Sequence, residues 1–516
     1  MTIFRRSPRR NLAALGSVLM LVLVSTACAS GGSGSGSSSS TPIVGGTLRV
    51  ITPTEPVTLN PIQSVISDAR VWGSILDPLI DVDVAGTPQD SGLLTSWKQT
   101  SSTEWEFTVR GGVKFSNGEA FDAAAAAFSI KENKTDPKAK LATYMSVVSD
   151  VKAGDATKLH VTTTTPYIAL PQLLSVVYAL PPANYTEQGA AKFAKAPVGT
   201  GGFTLASYEP GQKITVKKNP DYWRGPGKLD GIVFSWAPDA ASRLSLLQTG
   251  AADVAIDVPV EQKSALVNDP QLTLLSEPST SEMAVFFETA KAPFNDEKLR
   301  KAASMAIDRD SIVKSLFHGD GAQAQPFLIG QLMSSEPKHS KPTSYDPAGA
   351  KTLLAGSRPT ITFSYTVGRY PQDSKVGEAV SGMLEAVGFD VKRNPLDVTK
   401  FFELRPKGAF EMYMYQISPV FLQPDVYVHG FLTNNSITKH CVDPKIDALS
   451  AQALAAETVQ ESDKTYADIE DYVLNQKVCN VPLYDVVGLY GLSKKVDGFV
   501  APRNLLPNWA VVSLKN

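Results

Sequence analysis

Apolar and polar positions change period several times along this chain, and each change predicts an element. In GGTLRVI (45–51) a glycine pair precedes a short strand. In WEFTVRGGVKF (105–115) apolar and polar side chains alternate on both sides of Gly111-Gly112, which predicts a hairpin turning there. Asp122 precedes an alanine-rich stretch, DAAAAAFSIKEN, and predicts an N-capped helix. Asp239 caps a second helix, which buries Leu244 and Leu247 and stops at Gly250; DVAIDV (253–258) then reads as a buried strand. ITFSYTV (361–367) is another strand. Val376, Val380, Met383, Leu384 and Val387 share one helical face, Gly388 ends that helix, and FDVKR opens the next strand. Strand–helix–strand units of this kind argue for open α/β sheets. No short tandem repeat interrupts the pattern, and no transmembrane segment is found past the first 45 residues.

The first 45 residues stand apart. Arg5, Arg6, Arg9 and Arg10 precede an apolar run from Leu12 to Val24, then Ser25-Thr26-Ala27-Cys28, then GGSGSGSSSSTP (31–42). Positive, apolar and small residues followed by a slack tether predict an export signal over 1–27. The run is short for a membrane span, which needs about 20 apolar residues. Cys28 after small residues resembles the lipobox of bacterial lipoproteins, although that motif prefers an aliphatic residue where Ser25 stands. The resemblance implies that Cys28 is lipidated and that 28–44 is a lipid-anchored tether. Ordinary cleavage near Ala27, with Cys28 incidental, is the alternative.

Size and charge narrow the class. At 516 residues the chain is far above the size at which single cores split, so two or three subdomains are expected. Hydrophobic residues make up 43% and charged residues 19%, as in ordinary globular proteins. Without the four signal arginines, 45 basic side chains face 51 acidic ones, a net charge near −6. That disfavours a nucleic-acid surface, which should be basic. With Cys28 set aside, Cys441 and Cys479 remain, and in an oxidising compartment they are expected to pair. Two separate buried thiols are the alternative.

Several segments, in order along nearly the whole mature chain, resemble the family 5 extracellular solute-binding proteins, the oligopeptide, dipeptide and nickel receptors of ABC importers. GGTLRV (45–50) and EPVTLNP (55–61) are similar to the family's opening strand and Thr-Leu-Asp-Pro turn, with Asn60 in place of Asp. FTVRGGVKFSNGEAFDA (107–123), APVGTGGFTL (196–205) with KKNPDYWRG (217–225), SRLSLLQTGAADVAI (242–256), APFNDEKLRKAASMAIDRDSIV (292–313) and YDPAGAKTLLA (345–355) continue the likeness. Most of these motifs read as structural. Gly199, Gly201 and Gly202 suit turns. Asn219-Pro220-Asp221 is a turn sequence that Tyr222-Trp223 packs down, a ligand-stacking platform being the other reading. Arg300 and Asp308 are expected to fix a helix by local hydrogen bonds or an ion pair.

The resemblance implies an α/β fold of the two-lobe periplasmic-binding-protein type (type II, cluster C) with an inserted extra subdomain. Lobe one would comprise 45–80, 195–280 and 480–516, the insert 81–194, and lobe two 281–479. It also implies a monomer that captures a peptide or other small solute between the lobes, delivers it to ABC permease subunits, and needs no cofactor or metal. Position by position, the family's cleft falls on Gln63 and Ser64, on Phe287, Glu288 and Thr289, and on Tyr415, Gln416 and Ser418. Hydroxyls and amides give direction there, and aromatics give contact area. Peptide receptors of the family carry an Asp-containing stretch in the region of YQISPVFLQPD (415–425), where the acid holds the peptide's ammonium. Here Val420 and Phe421 are apolar, Gln423-Pro424 replaces Asp-Pro, and Asp425 is shifted. A buried ammonium without a carboxylate partner is costly, so a neutral, modified or bulky amphipathic solute is the hypothesis here. Glu288 could serve as a displaced ammonium partner, which keeps peptide as the default class.

Rival functions find less in the sequence. A secreted α/β hydrolase would need a nucleophile or metal signature, and neither G-x-S-x-G nor H-E-x-x-H occurs. The five histidines (His160, His318, His339, His429, His440) are not in metal-ligand spacing, against a nickel receptor. Receptors for a sugar, haem, nickel chelate or other amphipathic molecule in the same fold, and a sensor or adhesin, remain alternatives.

Overall fold

The opening strand forms at Thr47–Thr52, where Leu48 and Val50 point into the core. It pairs in parallel with Gly231–Trp236 on one side and Val254–Ile256 on the other. This is the computed structural model of the chain, and it describes residues 42–83, 86–320, 322–323, 328–333, 340–419, 421–434, 436, 440–501 and 506–515. The expected export signal, Cys28, nearly all of the expected tether, His339 and Val420 lie outside the described residues. Residues from Thr41 onward form one unit.

An eleven-stranded mixed sheet dominates that unit. Its path runs from Asp390–Leu396 through Thr360–Thr366, Met412–Ile417, Leu272–Phe287, Asn480–Ser493, Val254–Ile256, Thr47–Thr52, Gly231–Trp236 and Lys213–Lys218 to Phe203–Glu209, and the eleventh strand, Ala322–Gln323, pairs with Asn480–Ser493 off this path. Two strands hold the path together. Leu272–Phe287 and Asn480–Ser493 span 16 and 14 residues and pair antiparallel from Leu272↔Ser493 to Phe286↔Asn480. Their register breaks between Pro278 and Glu282 and again at Met283/Ala284. On one side of the break Asn480–Ser493 also pairs with Val254–Ile256. On the other, Leu272–Phe287 pairs with Met412–Ile417.

The helices form where the pattern places them. Asp122 accepts from the Ala125 amide and caps Ala123–Thr135; Asp239 accepts from Ser242 and caps Ala240–Gln248. The Asp373–Val387 helix buries Val376, Val380, Leu384 and Val387 and ends at Gly388, whose φ of 124° favours glycine. It connects the parallel strands Thr360–Thr366 and Asp390–Leu396.

A separate four-stranded antiparallel sheet, in the order Leu94–Ser101, Glu104–Val109, Lys158–Thr163, Val148–Ala153, packs with the Ala123–Thr135 helix around its own apolar cluster. Here the structure corrects the expected hairpin. Glu104–Val109 pairs with the strand before it and with Lys158–Thr163, not with residues 113–115. Val113 and Phe115 are buried, and the Phe115 amide donates to the Glu119 carbonyl, so the chain past Gly112 makes its own turn.

Three motif readings acquire physical content. At Gly199 and Gly201 the requirement is close approach: a Cβ there would lie 2.2 Å from the Ile75 carbonyl oxygen and 2.5 Å from its carbon. Tyr222-Trp223 pins its turn to buried Asp77, with the phenol donating over 3.1 Å and the indole Nε1 over 2.8 Å. Arg300 and Asp308 do not pair. Arg300 donates to the carbonyls of Phe294, Lys477 and Val478, while Asp308 accepts from the Ser311 amide and caps the next helix. Cys441 and Cys479 are disulfide-bonded, with Cα atoms 5.5 Å apart.

Candidate functional site

Strand alternation builds the site. In Met412–Ile417, Met412 and Met414 enter one apolar core, and Tyr413 and Tyr415 the other. In the neighbouring strand Met283, Val285 and Phe287 share the first core, and Ala284 and Phe286 the second. The second face is aromatic. Phe286 stacks on Tyr413 at 5.2 Å between ring centroids, and Tyr415 is surrounded by Phe286, Tyr370, Phe401, Phe402 and Phe431 at 6.1–6.5 Å. Phe431 belongs to a π-helical turn, Val428–Leu432, a geometry that recurs at functional sites.

Arg405 sits in this nest. Its guanidinium carbon lies 3.9 Å from the Tyr415 ring centroid, 5.7 Å from Phe402 and 5.9 Å from Phe431. The residue is only 9% exposed, and its Nε and Nη1 have no hydrogen-bond partner. A cation over an aromatic face gains about 0.5–2 kcal/mol. Desolvating an unpaired ion costs several kcal/mol, so the rings offset only part of the penalty.

Beside the nest lies a cavity of about 500 Å³, counting the part open to solvent. Tyr370, Pro371 and Gln416 wall it on one side, and Val258–Val260 and Val486, Val487 and Leu489 on the other. It therefore touches both halves of the long sheet where the register breaks. Gln416 Nε2 donates to Ser418 Oγ at 3.2 Å, and Ser281 Oγ donates to the same oxygen at 2.9 Å.

Asp425 lies where Pro424–Tyr427 meets the 81–194 segment. It is buried, and Tyr167 donates to its Oδ2 at 3.2 Å. The Gln423 side chain accepts from its amide, while its Oδ1 has no partner. Burial raises the Asp425 carboxyl above the usual carboxylate range, against the pull of His429 and the Tyr167 hydrogen bond. The Tyr144 phenol is pushed up to about 12, by burial first and then by the charge of Asp425. Tyr144 also meets Phe421 edge-on at 5.5 Å.

The other expected positions have different neighbours. Gln63 Nε2 donates to Asp136 at 2.8 Å, and Ser64 Oγ to Asp68 at 2.8 Å. Phe287 packs on Phe294 at 4.7 Å in the opposite core. The Thr289 amide and hydroxyl both donate to the His440 carbonyl. Glu288 is buried near Lys291, and burial pushes its carboxyl up to about 7. The structure thus joins Tyr415, Gln416 and Ser418; Asp425 is bonded to Tyr167, Gln63 and Ser64 to Asp136 and Asp68, and Phe287–Thr289 lie with Phe294, Lys291 and His440. Phe286, Tyr370, Arg405 and Phe431 escaped the sequence reading. Cross-strand register sets Phe286 opposite Tyr413 and diagonal to Tyr415, and Arg405 and Phe431 come from helical segments with no distinguishing motif. Among the described residues no group of three or more metal-ligating side chains occurs.

Comparisons with known proteins agree with this architecture. The glutathione-binding protein GsiB of Pectobacterium atrosepticum is 27% identical over 402 residues, covering 72% of this chain and 76% of that protein. The structure of HbpA2 from Haemophilus parasuis superposes with a TM-score of 0.80 at 20% identity, over 91% of this chain and 100% of that one. A dipeptide-binding protein from Pseudoalteromonas sp. SM9913, in complex with Met-Leu, gives a TM-score of 0.76 at 20% identity, over 91% and 100% respectively. These neighbours have the type II periplasmic-binding fold of mixed α/β around a large central sheet. Residues 90–439 match the family described as bacterial extracellular solute-binding proteins, family 5 Middle, and the chain belongs to that extracytoplasmic family.

Proposed function

We propose that this protein is the solute receptor of an ABC importer, and that it holds a peptide or peptide-like solute beside the Tyr415 nest and hands it to the permease without chemical change. The observation that carries this reading is the cavity shared by the two halves of the sheet, walled by Tyr370 and Gln416 and adjoining a ring of aromatic side chains. Tyr415, Gln416, Ser418 and Asp425 are the ligand-facing groups in this reading. Gln63, Ser64, Phe287, Glu288 and Thr289 are not among the residues that wall this cavity. Closure moves the 45–80, 195–280 and 480–516 portion against 281–479, with the paired long strands as the flexing element and 81–194 riding as an insert. Binding energy is divided between holding the solute and populating the closed form. A micromolar receptor has about 8 kcal/mol for both. Cys28 carries lipid and 28–44 is the leash, so a monomer works at the outer face of the membrane.

Isothermal titration with a defined set of di- to pentapeptides tests the substrate class. Micromolar binding is expected, together with recovery of intact peptide. Gln416→Ala should weaken it about fivefold or more, the worth of about one hydrogen bond, with the melting temperature of the empty protein unchanged. Absence of binding by any peptide sinks the peptide reading. A second reading, a solute with a blocked or absent ammonium, is favoured by the apolar Phe421 and by Gln423 where peptide receptors carry acids. N-acetylated peptides binding as tightly as free ones would select it.

A further inference from the structure

We infer that two polar contacts, Lys263 with Asp320 and Gln372 with Glu261, form a latch across the cavity, and that this latch sets the balance between open and closed receptor without touching the solute. The inference rests on the receptor reading and on its two moving portions.

The argument begins with placement. Lys263 Nζ donates to Asp320 Oδ1, and Gln372 Nε2 donates to Glu261 Oε1. Glu261 and Lys263 belong to the 195–280 portion, and Asp320 and Gln372 to 281–479. Each contact adjoins the cavity. Val260 precedes Glu261 and Pro371 precedes Gln372, and Val260, Pro371 and Asp320 are all wall residues. Drawing those walls apart breaks both contacts.

The arms are stiff behind their tips. Buried Asp373 accepts from the amides of Gly368, Arg369 and Tyr370 and from the Thr366 hydroxyl, which fixes the turn that carries Gln372. On the other side Arg70 pairs with the Asp257 carboxylate at 2.6 Å, and Arg243 donates to the Asp257 carbonyl at 2.7 Å. Backbone strain gathers at the same place. Five described non-glycine residues have positive φ, and three of them stand next to cavity walls: Asp257 at 56°, His318 at 54° and Gln372 at 59°. Residues with a Cβ hold that conformation only where their surroundings over-determine it, and such positions cluster at clamps and switches.

The contacts are partly exposed. Lys263 keeps 36% of its side chain accessible, and Asp320 keeps 14%. Pairs in that setting are weak and screened by salt. They therefore bias closure without locking it, and two together shift the open–closed ratio about fivefold.

The test uses the whole mature protein with spin labels on Val267→Cys and Val367→Cys, exposed positions on the two portions, and reads the distance between them by double electron–electron resonance. The empty wild type should show a short and a long distance. Lys263→Ala with Gln372→Asn should move the ratio about fivefold toward the long one. Asparagine tolerates the left-handed backbone and is too short to reach Glu261. Raising NaCl from about 0.05 to about 0.5 M should shift wild type the same way, and Lys263→Ala less. Lys263→Asp with Asp320→Lys should restore the wild-type ratio, a rescue that a packing role would not give. An unchanged ratio in the double variant overturns the latch, as does a single distance in wild type at every salt concentration. If the variants do not fold, the salt response of wild type decides: a shift keeps the latch and its absence overturns it. Adding the set of di- to pentapeptides separates the latch from the receptor reading. A latch effect with no gain of the short distance on adding peptide keeps the latch and discards the peptide receptor. A gain with peptide and no latch effect does the reverse.

Discussion

At the scale of single residues, burial decides most of the electrostatics. Glu288 is buried beside Lys291, and burial lifts its carboxyl from 4.5 to about 7. The folded protein therefore retains a proton that the unfolded chain has released between those values, and stability falls as pH rises through that window. Glu288→Gln should melt higher than wild type at pH 8 and equally at pH 4, with a difference of at most about 3 kcal/mol in denaturant titrations. An equal effect at both pH values would place the change in packing instead. The buried His440 ring behaves oppositely: burial and the Arg405 charge hold it down at about 3, so it stays neutral at physiological pH. Neither property was legible in the sequence. Residue type names a titratable group, but its shift depends on which neighbours exclude water, and those come from distant segments.

Elements were more legible, because their signals are local. Asp122 and Asp239 cap the helices they precede, and the apolar stripe from Val376 to Val387 is the buried face of a helix ended by Gly388. The hairpin at Gly111-Gly112 was misread for a tertiary reason. Glu104–Val109 already has neighbours on both edges, so Val113 and Phe115 enter the core without a strand partner. The NPDYWRG turn shows how far a motif can be read. Its Asn and Pro announced a turn, yet the partner that fixes it, Asp77, lies 145 and 146 positions from Tyr222 and Trp223. Arg110 and Arg224 then cover the Trp223 ring at 5.0 and 4.1 Å. Asp77→Ala should cost about 2–4 kcal/mol in urea unfolding, because it strands a phenol and an indole N–H. The companion Arg224→Gln, on the half-exposed side of the turn, should cost about 1 kcal/mol or less. Equal losses would mean that Asp77 is not the anchor.

At the scale of the molecule, segments far apart in sequence converge. The disulfide between Cys441 and Cys479 closes a loop 38 positions long around the helices Pro444–Leu454 and Val459–Asp471. In the chain-entropy account that closure contributes about 4 kcal/mol, so Cys441→Ser with Cys479→Ser should lower stability by about that amount. Unchanged stability under reducing conditions would count against it. The sequence led to the family and to the region of the site through motifs in order. It did not disclose Phe286 or Arg405 as members, since cross-strand register and helix packing place them, and both depend on the whole assembly.

The paired strands Leu272–Phe287 and Asn480–Ser493 have a practical consequence. Each feeds hydrogen bonds to opposite ends of the sheet, so no single cut yields two self-sufficient fragments. A nick near residue 280 would leave one product with an orphaned ribbon and the other without its template. Engineers wishing to exchange recognition between relatives must therefore transplant surface segments around this ribbon and leave its backbone whole.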